Sequence, residues 1–317
     1  MGTNTFIDKG LFGDTEYFEV APGVWGMKIV FVNIFMIATG NGNDWVLVDA
    51  GLKGFAGNIQ AMAAELFGAN NPPEAIILTH GHFDHVGTLK KLLKTWDVPV
   101  YAHPLELPYL TGNSSYPPPD PTVGGGLMSS LSIIYPKKPI NIGINVRVLP
   151  ENGSIPFLPQ WTSVFTPGHA PGHISLWRES DKLLIAGDAF VTTKQESAFS
   201  VATQKLELSG PPKYFTSDWV AAAASVKKLR DMKPAIAATG HGKPMRGQQL
   251  TQGLNNLVNH FETIAVPSQG RYVREPAKAN KRGVQYVPPE PFNPVFAASI
   301  AGLLALGIYA LVKRSKK

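Results

Sequence analysis

Apolar residues along this chain fall into short continuous runs, separated by segments in which they recur every three or four positions. Runs of β type occur at Lys28–Ile37, Trp45–Asp49, Ala75–Leu78 and Val98–Ala102, and later at Thr162–Phe165, Ile174–Trp177 and Lys182–Ala186. Helical spacing marks Phe55–Leu66 and Val86–Trp96, the second with Lys90, Lys91 and Lys94 on its polar side. Two more helices are predicted over Asp218–Met232, with Ser217 as cap, and over Gly247–Ile264. Short strands alternating with helices predict one α/β domain within residues 1–266, its pattern beginning near residue 17.

Two stretches break the alternation. Leu107–Pro139 is rich in Pro, Gly and Ser and long for a connection inside a compact domain, which predicts a lid or binding loop. Residues 267–294 are Pro-rich and basic without periodicity, and read as a linker. The C-terminal end is different again. Val295–Val312 carries no charge over its length and is succeeded at once by Lys313, Arg314, Ser315, Lys316 and Lys317. A helix of that length rises about 27 Å at ~1.5 Å per residue, close to the thickness of a bilayer's hydrocarbon core. The expectation is a C-terminal transmembrane helix over 295–312 with a basic tail over 313–317. The N-terminus shows no charged region followed by an apolar stretch, so a single-pass anchor with the enzyme domain on the cytoplasmic side is expected.

Composition narrows the chemistry. There is no Cys, so a thiolate nucleophile, a disulfide framework and a Cys-ligated metal are all excluded. The formal net charge of +6 resides at one end. Residues 271–317 hold nine Lys/Arg and two Glu, and the rest of the chain has a net charge of −1. A near-neutral body lacks the clustered cations from which phosphate affinity is built, so no nucleic-acid partner is expected.

The strongest local signal is Thr79-His-Gly-His-Phe-Asp-His85, immediately after the apolar run AIIL. His80 and His82, two apart where a strand runs out, can grip one metal ion. Asp84 and His85, one turn further on, can face a second. Imidazole nitrogen and carboxylate oxygen suit zinc, and also iron or manganese. Further candidates stand at later strand ends, each beside glycine: His169 in Thr166-Pro-Gly-His, Asp188 in Gly187-Asp, and His241 in Gly240-His-Gly. Together these make seven possible ligands, enough for two metals. Asp49, in LVDAG, is a candidate for orienting a ligand loop. His173, in HAPGH, and Lys194, in VTTKQES, are candidates for packing behind the site or touching substrate. His103 and His260 are expected to be structural.

With these four segments the sequence resembles the metallo-β-lactamase superfamily, especially its glyoxalase-II-like and lactonase-like hydrolases. The resemblance implies a four-layer αββα sandwich with two metals, zinc first among them, at one edge. It assigns His80, His82 and His169 to one metal, Asp84, His85 and His241 to the other, and Asp188 to a bridge between them. It implies a small-molecule substrate and hydrolysis of an ester, lactone or thioester by a metal-bridging hydroxide, with Asp84 and Asp188 as catalytic carboxylates. Homoserine-lactone hydrolases of this fold carry a Tyr three residues after the bridging Asp, where this chain has Val191. Two alternatives use related ligand sets: an iron-dependent oxidoreductase resembling persulfide dioxygenases, and a phosphodiesterase acting on nucleic acid.

Overall fold

The computed structural model describes residues 15–290. Seven strands form the first sheet in chain order: β1 (Thr15–Ala21), β2 (Val24–Ile29), β3 (Val32–Ala38), β4 (Trp45–Val48), β5 (Ala75–Ile77), β6 (Val100–Ala102) and β7 (Val146–Val148). Pairing is antiparallel from β1 to β4 and parallel from β4 to β7. The run expected as one strand over Lys28–Ile37 is a hairpin. It turns at Val30, whose φ of 58° is positive, and Ile29 pairs with Val32 across the turn.

The second sheet contains β8 (Trp161–Phe165), β9 (Ile174–Arg178), β10 (Leu183–Ile185), β11 (Ile236–Ala238) and β12 (Met245–Arg246), in the spatial order β12-β11-β10-β9-β8. Both sheets are covered on both faces, which is why their central strands read as unbroken apolar runs. In β4 the strand period of two divides the work: Val46 and Val48 enter the layer between the sheets, while Trp45 and Leu47 face the helices outside. Between the sheets, Phe35 and Ile77 pack with Ile174, Leu176, Leu183 and Ile185.

Outside the first sheet lie α1 (Ala56–Phe67), through Ile59, Met62 and Phe67, and α2 (Leu89–Leu92). The chain then runs through α3 (Leu107–Leu110), α4 (Leu127–Leu131) and α5 (Ala198–Thr203), short helices at the rim. Outside the second sheet lie α6 (Trp219–Asp231), through Val226 and Leu229, and α7 (Gly247–Asn259), through Leu250, Leu254 and Leu257. The result is the expected αββα order of layers. The cap of α6 is Asp218 rather than Ser217: the Asp218 carboxylate accepts from the backbone N–H of Ala221 at 2.9 Å. Helix α7 breaks at His260, short of the expected Ile264.

Two expectations require correction. Residues 267–290 do not run free as a linker. They form a strap with a small hairpin, β13 (Lys278–Asn280) and β14 (Gly283–Tyr286), lying on the long 107–139 segment. Gln269 Nε2 donates to Thr122 O at 2.8 Å, Tyr272 Oη donates to Pro118 O at 2.6 Å, and the Val284 N–H donates to Ser114 Oγ at 3.1 Å. The run 295–312 and its basic tail lie outside the described residues. Among the described residues no helix is long and apolar enough to cross a membrane. The longest, α6 and α7, have 13 residues each, about 20 Å of rise against the roughly 30 Å of a bilayer core. The described residues form the α/β sandwich with no membrane helix among them, so the membrane partner and the anchored, cytoplasm-facing localisation have no support there.

Candidate metal centre

The chain's chemical motifs follow the C-terminal ends of five strands and meet at one edge of the sandwich. Asp49 follows β4 and His80–His85 follow β5, in the first sheet. His169 follows β8, Asp188 follows β10 and His241 follows β11, in the second. Three overlapping groups result: His80, His82 and His169; His80, His85 and Asp188; and Asp84, His85 and His241. Within each group the ligand atoms lie within 4.8 Å of one another. All seven side chains are buried, none being more than 5% exposed.

The partners of each imidazole fix which nitrogen carries a proton. His241 Nδ1 lies 2.7 Å from Phe31 O, which can only accept, so Nδ1 carries a proton and Nε2 is the nitrogen that faces the cluster. His85 Nδ1 donates to Asp49 Oδ2 at 2.8 Å, which leaves Nε2 free. Thr79 Oγ1 donates to the same Asp49 oxygen at 2.7 Å and so receives the His80 Nδ1 proton at 3.1 Å. Thr216 Oγ1 donates to Pro212 O at 2.8 Å and stands 3.4 Å from His169 Nδ1. Four histidines thus turn Nε2 inward, and the fifth, His82, turns Nδ1 to within 3.0 Å of His169 Nε2. His80 Nε2, His85 Nε2 and Asp188 Oδ1 are buried without any hydrogen-bond partner. Buried polar atoms seldom lack partners. Inward-facing lone pairs with a carboxylate oxygen beside them are the donor set that a divalent cation completes.

The charge balance agrees. Burial, together with the neighbouring histidines, holds His80 and His169 well below the usual imidazole range, and burial brings His82 down to about 3. These three are therefore neutral donors. Burial also opposes charge on His85 and His241, but the carboxylates around them outweigh it and raise both. Burial would raise the Asp188 carboxyl, yet His241 and His85 hold it well below the ordinary range, with Oδ2 at 3.0 Å from His241 Nε2 and 3.6 Å from His85 Nε2. Asp84 differs. Burial raises it more than the histidines lower it, and its Oδ2 is 3.6 Å from His241 Nε2.

The three outer candidates separate. Asp49 sits at a positive φ of 61° and holds both Thr79 and His85, directly behind the cluster. His173 holds the backbone: its Nε2 accepts the Asp188 N–H at 2.9 Å, and its Nδ1 donates to Thr166 O at 3.1 Å. Lys194 is not brought to the cluster, and its charge bears on Lys213. His103 stacks on Phe165 with centroids 4.3 Å apart, away from the cluster. Val191 is fully buried and bridges to Ser209.

Two residues escaped the sequence reading. Glu106 is fully buried and binds the two loops that carry His80, His82 and His169: Oε2 accepts from Gly81 N at 2.9 Å and Oε1 from Gly172 N at 2.7 Å. Tyr116 donates to the same carboxylate and sets its ring 4.5 Å from that of His82. Burial pushes the Glu106 carboxyl up to about 7 despite these bonds. The second is Tyr214, whose phenol is pushed well above its ordinary range by burial and then by the charge of Asp84. Neither stands in a motif. A lone Glu in HPLELPYL gives no sign that it will be enclosed.

An αββα sandwich with a buried His/Asp cluster at the loop edge defines the class of metallo-β-lactamase-fold proteins. The chain belongs to the metallo-beta-lactamase superfamily, whose family model matches residues 27–241. It is 46% identical over 248 residues to the "Probable metallo-hydrolase YflN" of Bacillus subtilis (strain 168), covering 78% of this chain and 94% of that protein. It is 32% identical over 203 residues to the "Probable metallo-hydrolase YybB" of the same organism, covering 64% and 78%. In fold it is similar to a metallo-beta-lactamase family protein from Thermus thermophilus, with a TM-score of 0.52 and 20% identity over 77% of this chain and 81% of that one. The superfamily thus includes relatives named as probable metallo-hydrolases, and this chain carries His/Asp groups that could hold a metal.

Proposed function

We propose that the chain is a dinuclear-metal hydrolase, with zinc the expected metal, acting on carboxylic ester, lactone or thioester bonds. The observation that carries this reading is the convergence of ring nitrogens from five buried imidazoles, with His80 Nε2, His85 Nε2 and Asp188 Oδ1 unpartnered among them. His80, His82 and His169 would hold one ion, Asp84, His85 and His241 the other, and Asp188 would stand between them. Two such ions, when bound, would supply water ionised near neutral pH and would polarise an acyl carbonyl. The protein's own contribution is to hold the donors still. Asp49 fixes His85 and, through Thr79, His80, while His173 fixes the Asp188 turn. Asp84, in the ligand group with His85 and His241, would be placed to pass a proton to a leaving oxygen or sulfur.

The test is elemental analysis of the purified protein together with turnover of p-nitrophenyl acetate, for wild type and Asp188→Ala. Two ions per chain in the wild type, with metal and esterase activity both lost in the variant, are expected. A single iron indifferent to Asp188, with oxygen consumed, would replace the reading with oxidative chemistry. Strong preference for bis(p-nitrophenyl) phosphate over the acetate would replace it with phosphodiester cleavage.

A further inference from the structure

One cavity opens against the metal centre. It has a volume of about 860 Å³ and includes Gly81 and His82 in its wall, a size suited to a small organic ligand rather than a bare ion. Its floor and sides are apolar: Leu52, Phe55, Phe83, Val86, Ile140 and Phe215. Phe215 stacks on the His82 ring at a centroid distance of 4.6 Å, so the apolar wall continues directly into the ligand cluster. The charged residues on the cavity are all of one sign. Lys53, Lys90, Lys91, Lys137 and Lys138 line it, and no Asp or Glu does. All five are exposed, whereas His82 and Val86 are buried. The cations therefore form the rim, and the metal ligand lies at the floor. None of the five has an ion-pair partner among the described residues.

This arrangement is unusual for a near-neutral body. Three separate segments, the turn before α1, the region of α2, and the end of the long 107–139 segment, each contribute one or two lysines to the same mouth. A concave apolar site with cations on one rim concentrates ligands of matching shape and charge. We propose that the substrate is an anionic amphiphile: an ester or thioester with an apolar body of several carbons between its reacting carbonyl and an anionic group. The carbonyl lies at the floor beside His82, the apolar body along Leu52, Phe55 and Ile140, and the anionic group among the rim lysines. This rests on the hydrolase reading above and specifies its substrate class.

The probes are three aryl esters with one leaving group: p-nitrophenyl acetate, p-nitrophenyl octanoate and p-nitrophenyl hydrogen suberate. Octanoate is expected to exceed acetate in kcat/KM by about tenfold or more, and hydrogen suberate to exceed octanoate at low salt. Raising the salt removes only the second advantage. The paired reversals Lys90→Glu/Lys91→Glu and Lys137→Glu/Lys138→Glu, on exposed positions that the fold does not need, lower kcat/KM for the suberate ester about tenfold through KM. A second readout is independent of turnover. The anionic apolar dye 8-anilino-1-naphthalenesulfonate should bind, and decanoate should displace it while decyltrimethylammonium does not. Acetate turnover with no gain from chain length or charge overturns the substrate class and leaves the hydrolase reading standing. Dye displacement without turnover of any ester overturns the hydrolase reading and leaves the amphiphile site standing. Equal displacement by the cationic amphiphile overturns the role of the lysines.

Discussion

In the metal centre, four imidazoles are gripped from behind by a second bond: His85 by Asp49, His80 by Thr79, His169 by Thr216 and His241 by the carbonyl of Phe31. A few ångströms away, the cavity beside His82 is walled by loops and rimmed by exposed lysines that have no ion-pair partner among the described residues. The first region has one geometry because four of its five imidazoles are each held by a bond from behind. The second tolerates variation, since an apolar wall and a diffuse positive field constrain class rather than shape. Substitutions in the centre should therefore act nearly all-or-none, and those at the rim by degrees.

The largest effect should come from Gly240→Ala. A Cβ there would collide with Asp188 Oδ1 and lie 2.9 Å from His85 Cε1, neither of which can retreat. Activity should fall on the order of 100-fold or more, with loss of metal by elemental analysis. Full occupancy and activity in this variant would break the distinction between fixed and tolerant regions. Asp49→Asn comes next. It keeps the volume but replaces one acceptor with a donor facing His85 or Thr79, so metal affinity measured by chelator competition should drop roughly 10–100-fold. An unchanged affinity would show that backbone position alone sets the His85 ring.

Glu106 sharpens the comparison through pH. Its carboxyl is raised from 4.5 to about 7 by burial, so between those values the folded chain holds a proton that the unfolded chain has lost. Stability from this group is thus full below about 4.5 and lost as pH rises through 7. The margin of wild type over Glu106→Gln in denaturant unfolding should shrink from pH 5 to pH 8, by about 2 kcal/mol. A margin that grew with pH would mean that the bonds from Gly81, Gly172 and Tyr116 outweigh burial.

The His-rich motif and the Gly-flanked ligands were legible because metal ligation demands particular residue types at particular strand ends. The structure brings all seven to one buried edge. Core strands were legible because burial on both faces leaves few polar positions. Other features depended on contacts distant in sequence. Glu106 is defined by Gly81 and Gly172, 25 and 66 residues away. The strap depends on Thr122 and Pro118, some 150 residues earlier, and its Pro-rich, basic composition looks the same whether it packs or not. The Val86–Trp96 pattern overstated its helix for a local reason. Only Leu89–Leu92 is helical, and Gly87 is pressed against the 51–53 backbone, where its N–H donates to Gly51 O at 2.7 Å.

The strap also sets an order of events during synthesis. His241, the last of the seven proposed ligands, leaves the ribosome before any residue of 267–290, so the centre can begin to assemble before the segment that secures the long loop has emerged. The loop's ends can settle early, but its middle waits: Asp120 must meet the Arg271 N–H, and Thr122 and Pro118 must meet Gln269 and Tyr272. A nascent chain should therefore pass through a stage in which a competent centre stands behind an unfastened door, open to protease at residues 107–139 until its last turns are laid down.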